Sequence, residues 1–282
     1  MPAVAVNDLH KSYGASEAVR GISFEIESGE VFGLLGPNGA GKTTTVEILE
    51  GYRQRDGGEV SVLGADPERA RTGWRERIGV VLQSSAMYPN LTVREHVALF
   101  AGYFEQPRQI DEVIEVVGLR EKGEARVKSL SGGQKRRLDL ALGLIGDPEI
   151  LFLDEPTTGF DPAARRAAWE MIRSLRELGK TVLLTTHYLD EAEQLADRVA
   201  VLREGRIAAL GRPQDLVGGR VATEIRYRQN GQEIVVATHE PTRRLHELTA
   251  EALARNEELV DLQVRRPTLE EIYLELTGGE SE

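Results

Sequence analysis

Val31-Phe32-Gly33-Leu34-Leu35-Gly36-Pro37-Asn38-Gly39-Ala40-Gly41-Lys42-Thr43-Thr44 is the stretch on which the reading of this chain turns. Glu30–Leu35 reads as a buried strand and Lys42 to about Tyr52 as a helix. The eight residues Gly36 to Thr43 between them fit G-x-x-x-x-G-K-[ST] in the strand-to-helix context that this pattern requires. Glycines let backbone N–H groups wrap an anion, and the positive end of the next helix points at it. Lys42 is placed to neutralise β- and γ-phosphates, Thr43 to hold Mg²⁺ through its hydroxyl, and Thr44 to extend the grip. A plain glycine-rich turn would need none of this agreement.

Such a loop needs a carboxylate for the metal. Ile150-Leu151-Phe152-Leu153 is an apolar strand that delivers Asp154 and then Glu155 at its carboxyl end, where α/β proteins bind ligands. Two adjacent carboxylates divide two tasks: Asp154 serves Mg²⁺, and Glu155 orients and deprotonates the attacking water. Alone, the pair would read as a solvated acidic strand end.

Working outward, strand-like and helix-like segments alternate. Ile78–Leu82, Thr181–Thr186 and Arg198–Leu202 read as further strands. Thr92-Val93-Arg94-Glu95 is a capping box opening a helix through about Phe104. Asp161-Pro162 is an N-cap followed by proline at the first helical position, and Gly179 closes that helix. The pattern predicts an α/β fold with a mainly parallel central sheet. Near Gly218-Gly219 the character changes. Val221–Tyr227 and Glu233–Thr238 read as a hairpin across Asn230-Gly231. A helix over Thr242–Arg255, a strand over Leu259–Val264 and a short helix over Thr268–Leu276 follow. The expected division is residues 1–218 for nucleotide binding and 219–282 for a small α+β domain.

The bulk properties agree. The chain has 282 residues, 40% hydrophobic and 29% charged, enough for a sizeable core. Its net charge of −11 argues against non-specific binding of nucleic acid or anionic lipid. It has no cysteine, which excludes disulfides and thiolate chemistry. No apolar run approaches the roughly 18–20 residues of a membrane span, and the N-terminus meets charges too early for a signal peptide. Lys135-Arg136-Arg137, Arg165-Arg166 and Arg265-Arg266 read as solvated faces, the first adding positive field near the anion.

Leu130-Ser131-Gly132-Gly133-Gln134, about twenty residues before Asp154, matches the LSGGQ signature of the ATP-binding cassette (ABC) ATPases letter for letter. Physically it is a second anion grip at a helix start. The other landmarks stand in that family's order. Tyr13 resembles the aromatic that stacks on adenine, and Gln83 the glutamine that touches Mg²⁺ and water. Gly159-Phe160-Asp161 resembles the loop that crosses the dimer interface, with Phe160 where leucine is usual. His187 resembles the histidine on the γ-phosphate. The resemblance covers roughly residues 3 to 215. It implies the P-loop NTPase fold of the ABC ATPases with a helical subdomain, and ATP and Mg²⁺ as ligands. It also implies a head-to-tail homodimer in which Ser131, Gly132, Gly133 and Gln134 of one copy close on the ATP of the other.

The tail narrows the branch. Thr186-His187-Tyr188-Leu189-Asp190-Glu191-Ala192-Glu193 and Pro267–Thr277 resemble the versions found in bacterial drug-export and sodium-export ATPases, and in particular ATPase subunits of the daunorubicin-resistance type. These power drug export through a separately encoded permease, from the cytoplasmic face of the membrane. Leu269, Ile272, Tyr273 and Leu276 also fall at helical spacing, as in an amphipathic capping helix. The segment Ser84–Leu91, with Met87, Tyr88 and Leu91, is where the family receives the permease. The rival readings are a non-transport ABC ATPase acting on ribosomes or DNA, disfavoured by a single cassette without insertion, and an importer ATPase, disfavoured by the tail. A non-catalytic regulator would be expected to lack Glu155 or His187.

Overall fold

The computed structural model describes residues 2–82, 87–220, 223–229 and 232–265. In chain order, strands β1 (Val4–Tyr13), β2 (Ser16–Ile26) and β4 (Gly57–Val62) form an antiparallel sheet ordered β2-β1-β4. Sequence periodicity had not announced this sheet. Its register shifts around Val6–His10, and Asp8 takes φ 50, so the alternation of β1 breaks in the middle.

Between β2 and β4 lie β3 (Val31–Leu35) and helix α1 (Lys42–Leu49). The helix stops short of Tyr52 because Gly51 takes φ +72, the left-handed geometry that ends helices. A Cβ there would meet the Pro67 carbonyl at 2.7 Å.

The chain continues through α2 (Thr72–Arg75), β5 (Ile78–Val81), α3 (Val93–Ala101), α4 (Ile110–Val116) and α5 (Gly132–Leu144). The capping box opens α3 as expected: Thr92 N–H donates to Glu95 Oε2 at 2.8 Å and Glu95 N–H to Thr92 Oγ at 3.1 Å. Then follow β6 (Ile150–Asp154), α6 (Pro162–Glu177), β7 (Thr181–Thr186), α7 (Leu189–Leu195), β8 (Arg198–Arg203) and β9 (Arg206–Gly211).

The central sheet runs β5-β6-β7-β3-β8-β9, and β5 to β8 pair parallel in that order. Its inner strands are buried on both faces, so they read as continuous apolar runs. Period-two alternation sends neighbouring residues into different cores. Phe32, Leu34, Phe152 and Leu183 pack with the N-terminal sheet and with Val46, Ile48 and Leu49 of α1. Val31, Leu151, Leu153, Val182 and Leu184 pack with the helices, including Val93, Val97, Leu138 and Ile172. Burying one leucine this way is worth roughly 1.5–3 kcal/mol.

The division into compact units falls as Met1–Leu210 and Gly211–Glu282. The second unit holds α8 (Pro213–Arg220), β10 (Thr223–Gln229), β11 (Gln232–Thr238), α9 (Pro241–Ala254) and β12 (Val260–Arg265). Its sheet is antiparallel, ordered β11-β10-β12, over a small core of Ile225, Tyr227 and Leu248. The turn residues Asn230-Gly231 and the expected helix Thr268–Leu276 lie outside the described residues. Among the described residues, no helix is long and apolar enough to cross a membrane.

Candidate functional site

The parallel sheet lines up the carboxyl ends of β3, β6 and β7, because β3 pairs Leu35 with Thr186 and β6 pairs Asp154 with Thr185. Every group of the candidate site in this region hangs from those ends. After Leu35 the chain runs through exposed Pro37, Asn38 and Gly39 and buried Gly36, Ala40 and Gly41. Gly41 is the N-cap of α1 at φ +103, and a Cβ on it would run into the Ala18 carbonyl. As glycine it offers no capping side chain, so the first N–H groups of α1 have no side-chain cap. That is the arrangement an anion fills.

Lys42 is only 5% exposed. Its Nζ donates to Gly36 O at 2.6 Å and Pro37 O at 3.2 Å, spanning the loop. Burial lowers its pKa, while the negative charges of Glu155 and then Asp154 pull the other way. Thr43 is exposed, Thr44 half-buried, and Thr45 is turned inward with Oγ1 donating to Gly41 O at 2.8 Å.

Asp154 and Glu155 are held by one hydroxyl. Thr185 Oγ1 donates to Asp154 Oδ1 at 2.6 Å and accepts from Glu155 N–H at 3.0 Å. Glu155 adopts φ 45, a region that costs a non-glycine residue about 1–3 kcal/mol. Its Oε2 accepts from Thr158 Oγ1 at 3.0 Å, and its Oε1 lies 3.3 Å from His187 Nδ1. The His187 ring is 4.1 Å from that of Tyr188, over which the Arg165 guanidinium sits at 4.3 Å. Arg165 is thus a stacked residue rather than a solvated one.

The structure brings Lys42, Asp154, Glu155 and His187 close together and adds Thr185 and Glu191 to their surroundings. Glu191 is fully buried. Its Oε1 accepts from Thr157 Oγ1 at 2.7 Å and Trp169 Nε1 at 3.1 Å, and burial raises its pKa. It ties α7 to the segment that follows Glu155. Sequence had shown Glu191 only as part of the run after His187, and no spacing rule links it to Thr157.

Ser131 N-caps α5 in a capping box: Gln134 N–H donates to Ser131 Oγ at 3.3 Å and Ser131 N–H to Gln134 Oε1 at 3.0 Å. The serine oxygen accepts here, which leaves its hydroxyl hydrogen to donate elsewhere. Ser131, Gly132 and Gly133 line a cleft of about 600 Å³ with Glu155, Thr158, Gly159, Phe160 and Asp161. Among the described residues, none from 36–44 lines this cleft. Gly159 has φ +79, Phe160 is half-buried, and Asp161 Oδ1 caps α6 by accepting from Ala163 N–H at 2.9 Å and Ala164 N–H at 2.8 Å.

Tyr13 ends β1 and is 42% exposed. The Arg53 guanidinium lies 5.1 Å from the ring centre and is held by Glu47 Oε2 at 2.5 Å. Gln83 lies outside the described residues, as do Ser84–Ala86. Met87 packs against the helical core, whereas Tyr88 is exposed.

The basic run after the signature departs from expectation. Arg136 is half-buried and bonds three backbone carbonyls, so it is not a solvated residue.

The donor set fits Mg²⁺. Among the described residues, no group of three or more His, Cys, Asp or Glu side chains could hold a metal by itself. One carboxylate and one hydroxyl beside a phosphate loop suit an ion that keeps waters and binds through phosphate oxygens.

A family model described as ABC transporter matches residues 19–158. Among curated relatives, the Nod factor export ATP-binding protein I of Rhizobium etli is 41% identical, with 100% of this chain and 95% of the relative covered. A solved ATP-binding subunit of an ABC transporter is 25% identical over 98% of this chain and 99% of its own, with a TM-score of 0.72. The cbiO1 protein of Clostridium perfringens, part of the ABC transporter complex cbiONQ, is 29% identical over 78% of this chain and 92% of its own, also with a TM-score of 0.72.

Proposed function

The chain belongs to the ATP-binding proteins of ABC transporters, and from that premise we propose that it binds and hydrolyses ATP to power export through a separately encoded membrane permease. The direction is carried over from the relative whose name states export. The cargo we assign is a drug or another small hydrophobic molecule. The chain works at the cytoplasmic face of the membrane, with residues 1–218 carrying the nucleotide chemistry and 219–282 a separate small domain.

Residues 36–44 cradle the phosphates. Lys42 already spans the loop and exchanges its carbonyl partners for β- and γ-oxygens. Thr43, Asp154 and Gln83 would hold Mg²⁺, which would supply positive charge to neutralise the phosphates. Tyr13 stacks on adenine. Glu155 takes the proton of the attacking water, and His187 contacts the γ-phosphate. Ser131, Gly132, Gly133 and Gln134 of a second copy complete the site, and Gly159–Asp161 crosses between the copies.

The observation that carries the reading is the pinned carboxylate pair: one threonine hydroxyl fixes Asp154 while orienting the backbone of Glu155 beside His187. Glu155→Gln should therefore bind ATP normally and hydrolyse it roughly 10²–10⁴-fold more slowly, the usual size of a lost general base. Steady-state ATPase within about threefold of wild type would remove Glu155 from this role.

A further inference from the structure

Arg136 lies on α5 five residues beyond Ser131, and no role assigned above uses it. Its Nε donates to Pro156 O at 3.2 Å, its Nη2 to Asp154 O at 3.0 Å, and its Nη1 to Leu82 O. These carbonyls belong to three separate parts of the site. Leu82 directly precedes Gln83. Asp154 is the end of β6. Pro156 opens the segment that leads from Glu155 to Gly159–Asp161.

The parallel ladder between β5 and β6 stops at Val81 and Leu153. One residue further on, where the sheet no longer holds the two strand ends together, a guanidinium bridges them and binds both to the signature helix. Five N–H donors in a fixed plane can serve three carbonyls at set angles. Burial lowers the Arg136 pKa without discharging a guanidinium, while the charges of Asp139, Asp154 and Glu191 pull the other way.

We infer that Arg136 is a positioning residue that keeps the Asp154–Glu155 pair and the strand end before Gln83 in register with the signature helix of the same chain. It touches no substrate and acts through the carbonyls it holds. The inference rests on the ATPase reading proposed above. Lysine can supply charge and one or two bonds but not the three-way fork. Glutamine removes the charge and most of the bonds.

The test uses the full-length chain as wild type, Arg136→Lys, Arg136→Gln and Glu155→Gln. Functional sites are counted by titration with a fluorescent ATP analogue, and kcat is expressed per titrated site. The P-loop is untouched, so nucleotide affinity and KM should stay within about twofold of wild type while kcat per site falls roughly 10- to 100-fold in Arg136→Gln. Arg136→Lys should fall between the two. A residue that only stabilises the fold would reduce the number of titrated sites and leave turnover per site unchanged.

Wild-type kcat per site in Arg136→Gln overturns the inference, as does loss of KM and kcat together through lost binding. If Arg136→Gln does not fold, Arg136→Lys decides by the same criterion. A wild-type chain that hydrolyses no ATP, or a fully active Glu155→Gln, would instead overturn the ATPase reading itself.

Discussion

Thr185 shows how much one hydroxyl can decide at the residue scale. It donates to Asp154 and accepts from Glu155, so the two carboxylates proposed for the metal and for the attacking water share one anchor. Glu50 shows the reverse, a charge that the fold suppresses. It follows the last turn of α1, where the helix dipole disfavours an anion. Burial first, then the negative charges of Asp154 and Glu47, push its carboxyl from 4.5 up to about 8. Because the folded pKa lies above the unfolded one, its protonated form stabilises the native state fully below about 4.5, and that contribution is lost as pH rises through about 8. Glu50→Gln fixes the neutral shape. With neither nucleotide nor Mg²⁺ added, the mutant and wild type should melt together below about pH 4.5, and the mutant should melt increasingly higher as pH rises from there to about 8, by a constant margin above that. Parallel melting curves across the pH range would show that Glu50 ionises freely in the fold.

At the scale of elements, the residues proposed for the chemistry gather at helix starts. The first turn of α1 has no capping side chain, while α5 and α6 are capped by Ser131 and Asp161. The Asp161 cap is a local device with a measurable cost. Asp161→Ala should lose about 1 kcal/mol of stability, and Asp161→Asn only a few tenths, since asparagine accepts the same two N–H bonds. Urea unfolding of both variants measures this. An alanine variant as stable as wild type would remove the cap from the energetics. Reduced ATPase in the asparagine variant at unchanged stability would assign the charge itself to the contact between copies.

At the scale of the whole molecule, the two segments proposed to grip phosphate do not share this cleft: the one lined by Ser131–Gly133 takes Glu155 and Gly159–Asp161 but, among the described residues, nothing from 36–44. The composite-site reading makes a sharp prediction from this. Lys42→Ala homodimers have two damaged sites, and so do Ser131→Arg homodimers. In a mixed dimer both lesions fall in one site, and the other joins an intact P-loop to an intact signature. Mixing the two inactive proteins should restore an ATP-clamped dimer, read by size-exclusion chromatography with retained nucleotide. Tagged mixed dimers that clamp no ATP, under conditions where wild-type dimers do, would mean that Ser131 serves its own chain.

Local sequence by itself determined the parts whose physics is local. The phosphate loop is legible because glycine spacing, a strand before it and a helix after it are all written in consecutive residues. The capping boxes at Thr92 and Ser131, the cap at Asp161 and the apolar central strands are legible for the same reason. The N-terminal antiparallel sheet was not, since register shifts in β1 break the alternation that would reveal it. The roles of Thr185, Glu191 and Arg136 were decided only in three dimensions. Thr185 reaches Asp154 across 31 positions, Glu191 reaches Thr157 across 34, and Arg136 reaches Leu82 across 54. A basic run reads as a solvated face until folding sets it against backbone carbonyls. Which polar groups pair across neighbouring strand ends depends on sheet order, and sheet order is a property of the tertiary structure alone.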